Sequence, residues 1–204
     1  MPNPHSPELW NTVAGRYDDL SPDQGLTDPN ARQAWRELLA HHFPGRNQTI
    51  LDAGCGTGSV SLLLAEMGHQ ATGIDFSPKM IDAALQKAKV LHLAAHFTVQ
   101  DANAPSYPSR SFDAIVCRQV LWALPDPAVA LRNWSALLQP GGKLLLIEGL
   151  FASGNGMSQD EIRTAMPTTL AKVEFADLSG QEALWGGPIP DQRYVVIAER
   201  ITAS

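Results

Sequence analysis

Three aspartates, Asp52, Asp75 and Asp101, each close a short apolar or β-branched run. The first belongs to Ile50-Leu51-Asp52-Ala53-Gly54-Cys55-Gly56-Thr57-Gly58, a run that reads as a strand entering a turn with three alternate glycines and then a helix. Glycines at such a turn permit tight backbone conformations and close approach by a ligand. A pyrophosphate site spaces its glycines G-x-G-x-x-G, whereas this loop reads G-x-G-x-G and carries Asp52, which would repel a pyrophosphate. The same carboxylate suits the ammonium of an amino-acid moiety. Asp75, at the end of the next run, is placed to accept hydrogen bonds from both hydroxyls of a ribose. Phe76 beside it can cover one face of an adenine. Asp101 can accept from an adenine amine while the Ala102 amide donates to the ring. Together the three acids point to a nucleoside site.

The elements that must position these acids follow from caps and periodicity. Ser6-Pro7, Asp28-Pro29, Ser77-Pro78 and Asp126-Pro127 each place a side-chain acceptor before a residue whose fixed φ suits the first helical position. All four read as helix starts. Trp10, Val13, Tyr17 and Leu20 then fall at helical spacing, as do Ala31, Trp35, Leu38 and Leu39 before Pro44-Gly45. Residues 1–46 are therefore expected to form two amphipathic helices that cover a domain of residues 47–204. From Thr49 onward short β runs alternate with helical patterns. Strands are expected at 49–52, 71–75, 97–100, 112–117 and 143–148, with helices at 59–67, 78–89 and 127–138. Past Gly149 a short helix at 159–165 and strands at 172–176 and 194–199 complete the pattern. Strand–helix alternation argues for a parallel sheet covered on both faces, and right-handed crossovers make it an α/β, doubly wound, Rossmann-like domain. Its ligand belongs beyond the carboxyl ends of the strands.

Composition narrows the function classes. A 204-residue chain that is 44% hydrophobic can build a sizeable core. With 15 basic and 21 acidic residues, its net charge of −6 gives no global field for nucleic acid or anionic lipid. No stretch approaches the roughly 20 apolar residues of a membrane span. The start, MPNPHSPELW, lacks a signal-peptide pattern, so a cytoplasmic protein is expected. Two cysteines, Cys55 and Cys117, form no disulfide framework and exclude a zinc-finger type of site. His92 and His96 stand four apart with no carboxylate partner in view, and no metal is expected. His41 and His42 are read as favouring the dipole at a helix C-terminus.

From residue 47 to about 150 the sequence resembles the class I S-adenosylmethionine-dependent methyltransferases. The resemblance rests on ILDAGCGTG, GIDFSPKM, VQDA, FDAIVCRQVLWAL and LQPGGKLLLIEG, with a further match in WNTVAGRYDDL. It implies seven strands in the order 3-2-1-4-5-7-6 with strand 7 antiparallel, and S-adenosylmethionine as cofactor. The residues it implies at that cofactor are Tyr17, Asp52, Gly54, Cys55, Gly56, Gly58, Asp75, Phe76, Met80, Asp101, Ala102, Arg118 and Gln119. The chain departs from the family in the short segment after Gly149, which lacks a long substrate cap.

Methyl transfer is an in-line displacement from an activated donor, so alignment and water exclusion are the main demands. A base would help a hydroxyl or carbon acceptor, and Glu148, Tyr17 and His5 are the candidates. Trp10, Trp122 and Glu148 are expected at the acceptor, a small and partly aromatic or apolar metabolite, with no nucleic-acid or membrane partner. Trp134 fits a helix core with Leu131, Leu137 and Leu138, and Trp185 has no assigned role. Two other readings stay open: an NAD-dependent oxidoreductase, which Asp52 contradicts, and a non-catalytic module that binds the cofactor.

Overall fold

The computed structural model describes residues 6–20, 24 and 26–202. Seven strands form one sheet in the order β3-β2-β1-β4-β5-β7-β6. They are β1 (Thr49–Ala53), β2 (Gln70–Asp75), β3 (His96–Val99), β4 (Phe112–Arg118), β5 (Leu138–Leu150), β6 (Leu170–Asp177) and β7 (Gln192–Arg200). Strands β1 to β5 pair in parallel, and β7 runs antiparallel to both β5 and β6. The sheet order and the antiparallel seventh strand are those expected from the sequence.

The helices are α1 (Pro7–Val13), α2 (Pro29–His42), α3 (Ser59–Glu66), α4 (Pro78–Leu91), α5 (Pro127–Leu137), α6 (Gln159–Ala165) and α7 (Glu182–Trp185). Three of the four expected caps form: Asp28, Ser77 and Asp126 each accept from a first-turn amide. Ser6 departs from the expectation, because its hydroxyl donates to the Glu8 carboxylate instead of capping α1. The first helix is also shorter than its apolar spacing implies. After Val13 the chain tightens into a 3-10 stretch over Ala14–Asp19 that contains Gly15, a poor helix former. His42, in the last turn of α2, is pushed down to about 4, first by burial and then by His41 and Lys143. It is neutral at pH 7, so the expected favourable charge at that helix end is absent there.

Successive residues of β5 serve opposite faces of the sheet. Leu144 and Leu146 pack with Leu131, Trp134 and Ile162, while Leu145 and Ile147 pack with Trp35, Leu64 and Trp185. Two apolar layers on one sheet explain why the strands read as nearly continuous hydrophobic runs. Helix α2 belongs to the second layer: Trp35 and Leu39 are fully buried, and the Trp35 indole N–H donates to the Leu184 carbonyl at 2.8 Å. The helical cover expected over residues 1–46 thus divides, with α2 built into the core and α1 and the 3-10 stretch lying elsewhere. At the end of β7 Arg200 gathers the Ser135, Ala136 and Leu138 carbonyls at 2.5–2.7 Å, closing the C-terminal end of α5.

Candidate active site

A cavity, partly open to solvent, lies at the carboxyl ends of β1, β2 and β4. Asp52, Asp75 and Asp101 all reach its wall, as do Gly54, Cys55, Gly56, Phe76, Met80, Ala102, Arg118 and Gln119. Trp10 from α1 and Tyr17 from the 3-10 stretch complete the rim, with their rings edge-to-face at 6.3 Å. Three positions named from the sequence stand elsewhere. Gly58, at φ +81°, begins α3, where an added Cβ would come within 2.8 Å of the Phe97 ring. Trp122 and Glu148 stand behind the wall.

The glycines of the loop serve different purposes. An added Cβ at Gly54 would come within 2.5 Å of Val120, so this glycine lets the β4 end pack against the β1 end. At Gly56, φ +53°, an added Cβ would meet, among the described residues, only Tyr17 Cε1 at 3.7 Å. Gly56 is the open cradle of the site. Its amide donates to Asp75 at 3.0 Å, and the Ser77 amide donates to the other Asp75 oxygen at 2.8 Å. Burial pushes Asp75 up from the ordinary carboxylate range while these two amides hold it down.

Asp52 is 2% exposed and accepts a 2.6 Å hydrogen bond from the Ser61 hydroxyl. Burial pushes it up to about 6, against the pull of Ser61 and Arg118. Carboxyls so placed are poised to gain from a cationic ligand that enters without water. Asp101 is exposed and accepts from the Asn103 amide, while the neighbouring Ala102 carbonyl is fixed by the Trp134 indole at 2.7 Å. Asp101 is thus held at the rim by a buried tryptophan beneath it.

At the end of β4, Gln119 adopts φ +57°, an uncommon conformation for a non-glycine residue. Its carboxamide oxygen lies 3.4 Å from the Gln24 amide, and its Nε2 is buried with no hydrogen-bond partner in the described structure. A buried donor on a cavity wall is costly unless a ligand supplies an acceptor. Arg118 beside it stacks 5.0 Å over the Trp35 ring and donates to the Gln24 carbonyl.

Glu148 explains how this corner is held. It is fully buried, and one carboxyl oxygen accepts from the Val120 and Leu121 amides at 3.0 and 2.7 Å. Burial pushes Glu148 up to about 8 despite these amides and the nearby Arg193. Burial thus favours the neutral carboxyl, which supports the turn that carries Val120 to the wall. Trp122 turns its indole to the Gln119 carbonyl at 2.9 Å and meets Phe151 edge-on at 5.8 Å. Of the base candidates, Tyr17 is on the wall, Glu148 is beneath it, and His5 lies outside the described residues. Sequence reasoning missed Gln24, Val120 and Leu124, which also line the cavity. Val120 and Leu124 follow β4 directly, so the position after the strand was the available signal; Gln24 had none.

The residues 51–146 match the model of the methyltransferase domain family. The match, just under half of the chain, is what supports a class I S-adenosylmethionine-dependent methyltransferase. S-adenosylmethionine is the cofactor that accompanies that family. Among curated relatives of this chain, a ubiquinone biosynthesis O-methyltransferase of Coxiella burnetii is 37% identical over 99 residues, 48% of this chain and 42% of the relative. A demethylmenaquinone methyltransferase of Deinococcus radiodurans is 37% identical over 145 residues, 69% of this chain and 58% of the relative. The chain thus spans about half the length of these relatives. Among solved structures, the [4+2]-cyclase SpnF superposes with TM-score 0.79 at 19% identity, covering 100% of this chain and 98% of the cyclase. The N-methyltransferase NodS of Bradyrhizobium japonicum, solved with S-adenosylhomocysteine, has TM-score 0.71 at 24% identity over 94% of this chain and 98% of its own. Both structural likenesses are likenesses of fold.

Proposed function

We propose that this chain binds S-adenosylmethionine in the cavity at the carboxyl edge of the sheet and transfers its methyl group to a small, partly aromatic or apolar acceptor. The observation that carries the reading is the convergence of three strand-end acids, the open cradle at Gly56 and the orphan Gln119 donor on one cavity. These features fit the cofactor part by part. Asp52 would face the ammonium, Asp75 the ribose hydroxyls, Asp101 and the Ala102 amide the adenine, and the Gln119 amide a carboxylate oxygen. When bound, the cofactor supplies a methyl group already activated on a sulfonium.

What this chain's residues then contribute is alignment and exclusion of water. Trp10 and Tyr17 offer flat walls, and Val120, Ala123 and Leu124 an apolar side. Tyr17 is also the wall residue whose hydroxyl is suited to hold or take a proton from an acceptor. The relatives named for quinone biosynthesis act on small molecules by name, which supports an acceptor of that size.

Calorimetric titration with S-adenosylmethionine and with NADH separates the proposal from a dinucleotide site. Binding of the first and not the second is expected; the reverse overturns the reading. Conversion to S-adenosylhomocysteine with any member of a panel of phenols, amines, thiols and indoles then separates an enzyme from a module that only binds.

A further inference from the structure

The segment that carries Trp10 and Tyr17 is fastened at two places, and one of them is the glycine loop itself. At its start, the Asn11 carboxamide oxygen accepts from the Ser77 hydroxyl at 2.7 Å and from the Lys79 amide at 3.2 Å, at the head of α4. At its end, Asp18 pairs with Lys87 of α4 at 2.8 Å. The Thr57 hydroxyl, inside the glycine loop, donates to the other Asp18 oxygen. Lys87 also lies 2.9 Å from Thr57 Oγ1 and 3.4 Å from Ser59 Oγ. One ammonium and one carboxylate therefore join three pieces of the molecule: the rim segment, helix α4 and the loop that leads into α3.

We infer that Asp18 and Lys87 are positioning residues that lock the rim segment onto the glycine loop through Thr57, so that the ligand held by that loop cannot leave without breaking the pair. Three features support this over an incidental surface pair. Both side chains are about three-quarters covered, at 25% and 27% exposure, and Thr57 is 2% exposed. A pair so shielded is little screened by salt and resists loss of one member, which would strand the other. Burial also holds Lys87 below the ordinary lysine range, against the opposing pull of Asp18. Finally, Tyr17 is the residue next to Asp18, and its ring lies nearest the position a side chain would take at Gly56. Fixing Asp18 thus fixes the ring that closes the cradle. Asp18 and Lys87 stand outside the residues that line the cavity, so their effect passes through Thr57 and Tyr17.

The inference rests on the cofactor reading, and the test separates the two. Lys87→Met, Asp18→Asn and Lys87→Arg are compared with wild type in two measurements. The first is amide exchange of residues 7–20 without ligand. The second is the rate of S-adenosylhomocysteine release in a chase experiment. Lys87→Met and Asp18→Asn are expected to speed exchange across the segment and to raise the release rate by about tenfold, while Lys87→Arg stays near wild type. Release within about twofold of wild type in a folded Lys87→Met or Asp18→Asn protein overturns the inference. Faster release with unchanged exchange also overturns it, since the pair would then act on the ligand without moving the segment. Should Lys87→Met fail to fold, Asp18→Asn, whose change lies on the rim segment, decides alone. A wild-type protein that binds no S-adenosylhomocysteine overturns the cofactor reading and the retention role with it, and the ligand-free exchange still decides whether the pair holds the segment.

Discussion

Asp75 and Gly56 carry the plainest tests of the site. On the proposed reading Asp75→Ala would remove two charge-assisted hydrogen bonds to a ribose, and it is expected to weaken S-adenosylmethionine binding by about 1.5–3 kcal/mol in a folded protein, read by titration. Equal affinity removes Asp75 from the site. Gly56→Val fills the open cradle in a left-handed conformation that a branched residue resists, so it is expected to abolish cofactor binding. Most of the fold should survive, because its new side chain would meet little of the protein itself. Gly58→Ala should behave oppositely, lowering the thermal midpoint through its collision with Phe97 before any ligand is added. Glu148 adds a pH dependence. Its folded-state value, about 8, stands above that of an unfolded glutamate, so the stability it contributes is full below about 4.5 and is lost as the pH rises toward 8. Glu148→Gln keeps an oxygen for the Val120 and Leu121 amides and cannot ionise. It should flatten the fall of the thermal midpoint between pH 5 and 8, by an amount equivalent to a few kcal/mol at most. An unchanged slope would show that Glu148 does not titrate in that window. The three aspartates were legible because each lies at or within two residues of the end of its own strand, whereas the supporting role of Glu148 depends on β5 lying beside the turn after β4, which no local pattern records.

At the level of elements, proline-preceding caps located α2, α4 and α5, since a capping bond needs only neighbours in the chain. The strand edges were less legible. β5 begins at Leu138 and passes through Pro140-Gly141-Gly142 before its regular pairing with β4 resumes at Ala114 and Lys143. A turn signal therefore masked the early part of that strand. The 3-10 stretch was hidden for a related reason: Trp10, Val13, Tyr17 and Leu20 keep helical spacing, but the tertiary pull of Thr57 and Lys87 on Asp18 shapes the second half. The place of α2 in the core was hidden too, because its partner α7 is four residues long and distant in sequence. Trp35 is the link between them. Trp35→Phe keeps an aromatic ring but deletes both the donor to the Leu184 carbonyl and part of the buried bicycle, and is expected to cost at least about 1–3 kcal/mol in urea unfolding. A cost near zero would mean that the indole bond does not hold α2 to α7.

For the whole molecule, a ligand that binds only the folded chain raises its stability by mass action, by about 2.7 kcal/mol at 100 times Kd. S-adenosylhomocysteine should raise the thermal midpoint accordingly and NADH should not. The acidic net charge of −6 gives nucleic acid no counterion-release advantage. A radiolabelled donor should therefore mark small acceptors and leave bulk RNA and protein unlabelled; label in the macromolecules alone would reverse the size assignment. The five tryptophans offer a different kind of access to these events. Trp35, Trp122, Trp134 and Trp185 each anchor their indole N–H on a backbone carbonyl within the sheet and its surrounding layers. Trp10 rides on the rim segment, against Tyr17 and the cavity. Opening of the rim would wet this indole while leaving the other four in place, shifting its emission to the red. The emission difference between wild type and Trp10→Phe is thus an optical gauge of rim position, already built into the chain and readable in real time as ligand enters or leaves.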